Sequence, residues 1–442
     1  MGKNIIYLIA FLLYTQIIYG QAISSYTSGN SDLPGDIVRA VFVDEYGHKW
    51  FGTENGLARF DGAAWTIYTD ESTPHSLADN VINDIDCQIT EFYGSELWLG
   101  TVNGVTVAAF DVDGITAATS YQSTDEEVTL ESDLINAVAV DSKGTRYFGT
   151  DSGLAVFDKA TWLYFDENSD PDIPALEILS IDSDNDSIYI GLDGGSFINA
   201  EGVARIQNTL DGFTGATPYV MPYNIPSGRV FKVFVDSEGY RWFGTSYGTA
   251  RHTSVIGKDF GKDMLMSSEN GLAGDSVYAI NEDIEKNMWF GTDKGVSKMN
   301  SSGEITNFTT EDGLASNIIY DIDFDPSNGT VWFATAGGVS YMENGFVSTA
   351  PRIAADENLL CIIPTVITGY AEIRLNIPAN EYAELAMYNL NGQLVQSLYR
   401  GYMTRGGQVI EFNVDRQKVT SGIYIVRLKM RNNITSRRIV IL

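Results

Sequence analysis

The sequence predicts an all-β fold, a seven-bladed β-propeller followed by a small C-terminal β-sandwich. Three observations carry this. The phrase Trp50-Phe51-Gly52-Thr53-Glu54-Asn55-Gly56 returns with its lead aromatic at Trp98, Tyr147, Tyr189, Trp242, Trp289 and Trp332. Successive gaps of 48, 49, 42, 53, 47 and 43 residues fit blades of four strands each. An aspartate turn precedes the aromatic in several copies, as in Asp44 to Gly47, Asp141 to Gly144 and Asp236 to Gly239, and Asp325 to Gly329 is the same turn with one residue added. Such a turn joins an innermost strand to the strand that carries the aromatic. After residue 367 the chain alternates apolar and polar residues in several short runs, the period of a small sandwich.

Each position of the phrase has a physical reason. An aromatic followed by an aliphatic or aromatic residue points to opposite faces of a strand, which suits a strand covered on both sides by neighbouring blades. The first glycine, replaced only by Ala334, marks a place of close approach, and Thr suits the strand end. A second glycine four residues after the first supplies the turn into the next strand.

In chain order, residues 1–20 read as a secretory signal: Lys3, then the apolar run Ile5 to Leu13, then a cut near Gly20 and Gln21. The propeller is expected over residues 21–351, a linker over 352–366 and the sandwich over 367–442. Ala22 to Ser28 resembles the outer strands of other blades, such as Trp65 to Thr69 and Ile305 to Thr309, while Gly345 to Thr349 is a further candidate in blade 7. That gives one outer strand too many, and the N-terminal strand is expected to join the last blade and close the ring, removing an open edge. Blade 4 is the weakest copy, with Leu192 in place of Thr and an irregular segment from Asn208 to Ile225.

The 442 residues include 28 Lys and Arg against 58 Asp and Glu, a net charge of −30. The excess acid lies in the propeller, because the segment from Pro351 onward holds 11 basic and 7 acidic residues. So acidic a body excludes nucleic acid as a partner and favours solubility, divalent cations or cationic ligands. No later stretch is apolar enough to span a membrane. With only Cys87 and Cys361, burial and not a disulfide framework must hold the fold, and Cys87 reads as a small buried hydrophobe.

At Thr310-Glu311-Asp312-Gly313-Leu314-Ala315-Ser316-Asn317, and again at Ser268 to Asp275, the chain resembles the two-component regulator propeller family over residues 22–350. That resemblance implies an extracellular, sugar-sensing type of propeller, although no kinase or regulator segment follows here. Asn389-Leu390-Asn391-Gly392-Gln393-Leu394-Val395, Val419 to Arg427 and the basic end resemble the C-terminal sorting domain of type IX secretion substrates. It implies the type IX secretion machinery as a partner and a secreted location, extracellular or on the outer surface of a Gram-negative cell.

The three histidines, His48, His75 and His252, fall in unrelated loops and turns, so no Ser/His/Asp or metal–histidine centre is expected. One register stands out at the start of the innermost strands, where Asp36, Asn80, Asp133, Asp275 and Asn317 recur while Ala175 and Gly228 fill blades 4 and 5. Their oxygens would circle one mouth of the channel and suit sugar hydroxyls or a cation such as Ca2+. Equally, Asp and Asn at a loop-to-strand junction satisfy local backbone donors. The reading that follows is a secreted or cell-surface, non-catalytic propeller that binds a glycan or a protein. A polysaccharide-cleaving enzyme with paired carboxylates and a structural adhesion component are the alternatives.

Overall fold

The computed structural model describes residues 23–343 and 360–441, save 73–75, 91–93, 127, 159–160, 170–176, 185–186, 195–201, 210–211, 219–224, 253–263 and 327 in the first span and 364–365, 368–369, 378–380, 390–393, 404–405, 414–418, 421 and 431–433 in the second. The expected leader, His75, Ala175 and the strand expected at Gly345 to Thr349 lie outside the described residues. The chain divides into two compact units, the second beginning at Val347 apart from a short insert in the first.

Among the described residues the first unit holds seven four-stranded antiparallel sheets. Blade 1 runs Val38–Val43, Lys49–Thr53, Gly56–Phe60 and Trp65–Tyr68 from inside to outside. The other innermost strands are Ile82–Thr90, Ile135–Val140, Ile178–Asp184, Val230–Val235, Val277–Glu282 and Ile319–Phe324. Each touches the next in order, and that of blade 7 touches that of blade 1, so the sheets form a closed ring.

Every described residue of the second strands Lys49–Thr53, Arg241–Thr245, Met288–Thr292 and Val331–Thr335 is buried, as the two-sided burial of the phrase requires. The first glycine is needed because the next blade leans on it. A Cβ on Gly52 would stand 2.7 Å from Ile82 Cγ2, and one on Gly244 would stand 2.6 Å from the Val277 carbonyl oxygen. The second glycine is needed twice over: Gly56 has φ +125°, and a Cβ there would meet the Tyr68 carbonyl oxygen of the outer strand at 2.5 Å. Threonine does more than end the strand. Thr53 Oγ1 donates to the Gly56 carbonyl at 2.8 Å and accepts from Asn55 N–H, and Thr101, Thr245, Thr292 and Thr335 repeat the turn lock.

The aspartate turn also holds the lead aromatic. Trp50, Trp242 and Trp289 donate through Nε1 to Asp44, Asp236 and Asp283 at 2.8, 2.9 and 2.9 Å, and the Tyr147 hydroxyl donates to Asp141 at 2.8 Å. In blade 7, whose turn has one more residue, Asp325 takes Lys49 Nζ at 2.9 Å, and Trp332 Nε1 has no hydrogen-bond partner among the described residues. Cations then cover the aromatic rings. Arg59, Arg251 and Lys298 lie over Trp50, Trp242 and Trp289 of their own blades, while Lys49, Arg146 and Arg241 lie over Trp332, Trp98 and Tyr189 of the preceding blades. In a desolvated setting each such contact contributes up to about 2 kcal/mol, so these basic residues of an acidic body fasten rings both within blades and across their boundaries.

The N-terminal strand closes the ring as expected. Ile23–Tyr26 pairs antiparallel with Gly338–Met342, in register Ile23 with Met342 and Tyr26 with Val339. Tyr26 packs on Tyr341, Phe60 and Trp65 with ring centroids 5.3–5.5 Å apart, which ties blade 7 to blade 1. Blade 4 departs from expectation: the segment read as irregular contains the strand Gly212–Pro218, its outer strand.

The second unit is a sandwich of a three-stranded and a five-stranded sheet. Its first strand, Leu360–Ile363, includes Cys361 and falls inside the expected linker, paired with Tyr370–Ile377. The sandwich is not wholly antiparallel. After its first strand the chain crosses to the other sheet, and Val366–Ile367 lies parallel to the end of Ile434–Ile441. Alternation delivers the core: Ala371, Ile373 and Leu375, then Ala383, Leu385 and Met387, then Val426 and Leu428, form one buried cluster.

Candidate functional site

Asp36, Asn80, Asp133, Asp275 and Asn317 all stand where an innermost strand begins, and each makes the same local bond. Their Oδ1 atoms accept from Ser28, Asp70, Ser123, Ser268 and Thr310 N–H at 2.6–2.9 Å, the loop that arrives from the outer strand of the blade before. Asp36 and Asp133 accept a serine hydroxyl through the other oxygen, and Asn80 donates to Asp70. Ser268 N–H and its hydroxyl, with Lys294 nearby, hold the Asp275 carboxyl below the usual range. Main-chain carbonyls at the same register take the turn glycine of the preceding blade, as in Gly56 N–H to Asn80 at 2.8 Å and Gly104 N–H to Asp133 at 2.7 Å. No hydrogen bond or ion pair joins any one of the five to another among the described residues. Nor does any group of three or more His, Cys, Asp or Glu among the described residues stand in a metal-holding arrangement.

Three residues further along, the innermost strands share a feature that the sequence analysis missed. All seven carry a register break at the same place, after Val38, Ile82, Ile135, Ile178, Val230, Val277 and Ile319, residues with no exposed surface. A bulge of this kind re-aims one side chain. The re-aimed residues are Arg39, Asn83, Asn136, Leu179, Phe231, Tyr278 and Tyr320, and all stay half-buried. Three aromatics form a continuous arc: Phe231 and Tyr278 have ring centroids 4.8 Å apart, and Tyr278 and Tyr320 6.2 Å. Arg229 lies over Phe231 at 5.1 Å while its Nη2 is 3.3 Å from Asp193. The opposite arc is polar. Asn83 donates to the Ile135 carbonyl at 2.8 Å, and Asn136 donates to Glu177 at 2.9 Å.

Below this ring the channel wall is stitched by carboxylates. The inner edge of each innermost strand has N–H groups without a strand partner, and such groups must find one. Asp84 and Asp86 accept from Val138 and Val140 N–H of the next blade at 2.8 and 2.7 Å. Ser180 and Asp182 take Val233 and Val235 N–H, while Asp321 and Asp323 take Val41 and Val43 N–H, all between 2.7 and 3.0 Å. Alternating pairs such as Asp84-Ile85-Asp86 and Asp321-Ile322-Asp323 were the signal available in the sequence.

These carboxylates are half-buried between adjacent blades. Desolvation pushes the carboxyls of Asp86 and Asp323 up to about 7 and that of Asp84 up to about 6, against the pull of their N–H partners and, for Asp84 and Asp323, of Lys232. Asp321 is raised for the same reason. Lys232 reaches from blade 5 to within 3.8 Å of Asp321. Burial alone would lower its pKa, but Asp321, Asp84 and Asp182 outweigh that and raise it. Cys87, on the same innermost strand as Asp86, is a free thiol that burial pushes up and renders unreactive. Away from the channel, a solvent-open polar cleft of 270 Å³ on blade 6 is lined by Glu285, Lys298, Asn300 and Phe308.

A closed propeller with a shaped channel mouth, followed by a sandwich, is thus the class of molecule that the fold defines. Residues 363–442 match the family described as the secretion system C-terminal sorting domain, and residues 271–294 match the two component regulator propeller. No curated protein matches the sequence. Among solved structures, PorZ, an essential bacterial surface component of the type-IX secretion system of Porphyromonas gingivalis, is similar at 17 % identity and TM-score 0.53, covering 90 % of this chain and 58 % of PorZ. The extracellular domain of the putative hybrid two component system BT4673 from B. thetaiotaomicron is similar at 15 % identity and TM-score 0.58, covering 96 % of this chain and 60 % of that one. Virginiamycin B lyase from Staphylococcus aureus is 14 % identical with TM-score 0.51, covering 72 % of this chain and 98 % of the lyase. This chain therefore spans about three fifths of the length of the first two, and at such identities the likeness is one of fold. The match to a sorting domain supports a secreted or cell-surface location. No helix among the described residues is long and apolar enough to cross a membrane.

Proposed function

We propose that this propeller binds a glycan at its channel mouth and does no chemistry on it. The observation that carries the reading is the arc of Phe231, Tyr278 and Tyr320, three aromatic faces from adjacent blades at the rim of a rigid ring. Sugar-sized ligands are held by apolar faces with a few fixed polar groups around them, and Asn83 and Asn136 supply those groups. Asp36, Asn80, Asp133, Asp275 and Asn317 act on this reading as supports of the rim, since their oxygens already hold the loops above it. The likeness to the BT4673 extracellular domain and to PorZ is compatible with a recognition role outside the cell.

Isothermal titration of the purified full chain against a panel of oligosaccharides tests this. A bound glycan is expected to lose at least tenfold in affinity in Tyr278→Ala and to be unaffected by Ile284→Ala, which changes an exposed residue of the blade 6 hairpin. Affinity equal in both variants, or no glycan bound, refutes the reading. Release of reducing ends from a polysaccharide, abolished by replacing one channel carboxylate, would instead favour the enzyme.

A further inference from the structure

Arg39 is the exception among the arginines of the propeller: among the described residues it alone has no ion pair, hydrogen bond or ring contact for its guanidinium. Lys49, Arg146, Arg229, Lys232, Lys286 and Lys298 each have a carboxylate within 4 Å. Arg39 has none among the described residues, and its Nε is enclosed without a hydrogen-bond partner. Among those residues Arg59, Arg205 and Arg251 also lack a carboxylate within 4 Å, but they lean instead on His48 and the Val112 carbonyl, on the Ser187 hydroxyl, and on the rings of Tyr240 and Trp242. The carboxylates below are engaged elsewhere: Asp84, Asp86, Asp321 and Asp323 hold the N–H groups of neighbouring blades, and Lys232 sits among them. Arg39 fills the bulge slot of blade 1, between that of Tyr320 in blade 7 and that of Asn83 in blade 2. It therefore marks the point where the aromatic arc ends and the polar arc begins.

We propose that Arg39 selects a sugar bearing an acidic group, a uronate carboxylate or a sulfate, whose ring packs on the aromatic arc while the guanidinium takes the anion. A planar fork of N–H donors matches such oxygens two at a time, which an ammonium group does not. This rests on the glycan site proposed above and names the class of sugar it takes.

The test titrates the full chain with a uronic-acid disaccharide, a sulfated disaccharide, their neutral counterpart, and acetate and sulfate alone. One or both acidic disaccharides are expected to bind at least tenfold more tightly than the neutral one, and the stronger of the two identifies the anion. Arg39→Ala should erase that difference and leave neutral binding in place, Arg39→Lys should keep part of it, and Tyr278→Ala should weaken acidic and neutral ligands alike. Neutral sugar bound as tightly as acidic, or Arg39→Ala lowering both equally, overturns the charge selection while leaving the glycan site standing. Acetate or sulfate bound as tightly as the disaccharides overturns the sugar as the ligand class. No binding by any disaccharide removes both proposals.

Discussion

Asp236 accepts three hydrogen bonds, from Glu238 and Tyr240 N–H through Oδ1 and from Trp242 Nε1 through Oδ2, at 3.0, 2.8 and 2.9 Å. Replacing it with Ala leaves these donors without a partner inside the blade, so Asp236→Ala should cost about 3 kcal/mol in urea unfolding. Asp325, which binds Lys49 in place of its tryptophan, should respond chiefly through that ion pair. The aspartate was legible in the sequence as a turn former, and so was the aromatic six residues on. Their bond was not, because a turn signal says nothing of where the second carboxylate oxygen points. One turn breaks the glycine rule: Lys286 in blade 6 has φ +65°, a conformation in which Gly47, Gly144 and Gly239 serve elsewhere. Lys286→Gly should therefore raise stability by about 1 kcal/mol, read as a higher urea midpoint.

Among elements, the strand Ile23–Tyr26 carries the most consequence for its length, because it supplies the outer strand of blade 7 from the far end of the chain. Tyr26→Ala removes a half-buried ring held among Phe60, Trp65 and Tyr341 and should lower unfolding free energy by about 2 kcal/mol or more, below the cost of a fully buried aromatic. Native-state hydrogen exchange should then show blades 7 and 1 loosening before the rest. The closure could be read from the sequence because outer strands have a recognisable pattern and one was surplus. The outer strand of blade 4, Gly212–Pro218, could not, since Gly-Phe-Thr-Gly-Ala-Thr-Pro lacks alternation and is framed by Gly and Pro. The bulge ring was equally hidden. Arg39, Asn83, Leu179 and Tyr278 share no chemistry, and what unites them is an extra residue in the pairing, which only the structure reveals.

For the molecule as a whole, the channel carboxylates set a dependence on pH. Asp86, Asp323 and Asp84 titrate at about 7, 7 and 6 in the folded ring and near 4 when unfolded. Between those values the folded state holds protons that the unfolded chain has released, so stability falls as pH rises from about 4 to 7. Thermal melting should accordingly be higher at pH 5 than at pH 8. Lys232→Met should cost about 1–3 kcal/mol at pH 8, where it strips the counter-charge from Asp321, and much less at pH 5, where the carboxyls are becoming neutral. At the other end of the chain, a version ending at residue 351 should fold and accumulate inside the outer membrane, detected by immunoblot of cell fractions; its appearance in the medium would deny the sorting role of residues 363–442. The seam formed by Ile23–Tyr26 and Gly338–Met342 bears on that journey. Contacts more than 300 positions apart in sequence come late in folding. Until Met342 has left the ribosome the circle has no last edge for its first strand to meet, so a growing chain cannot lock itself shut.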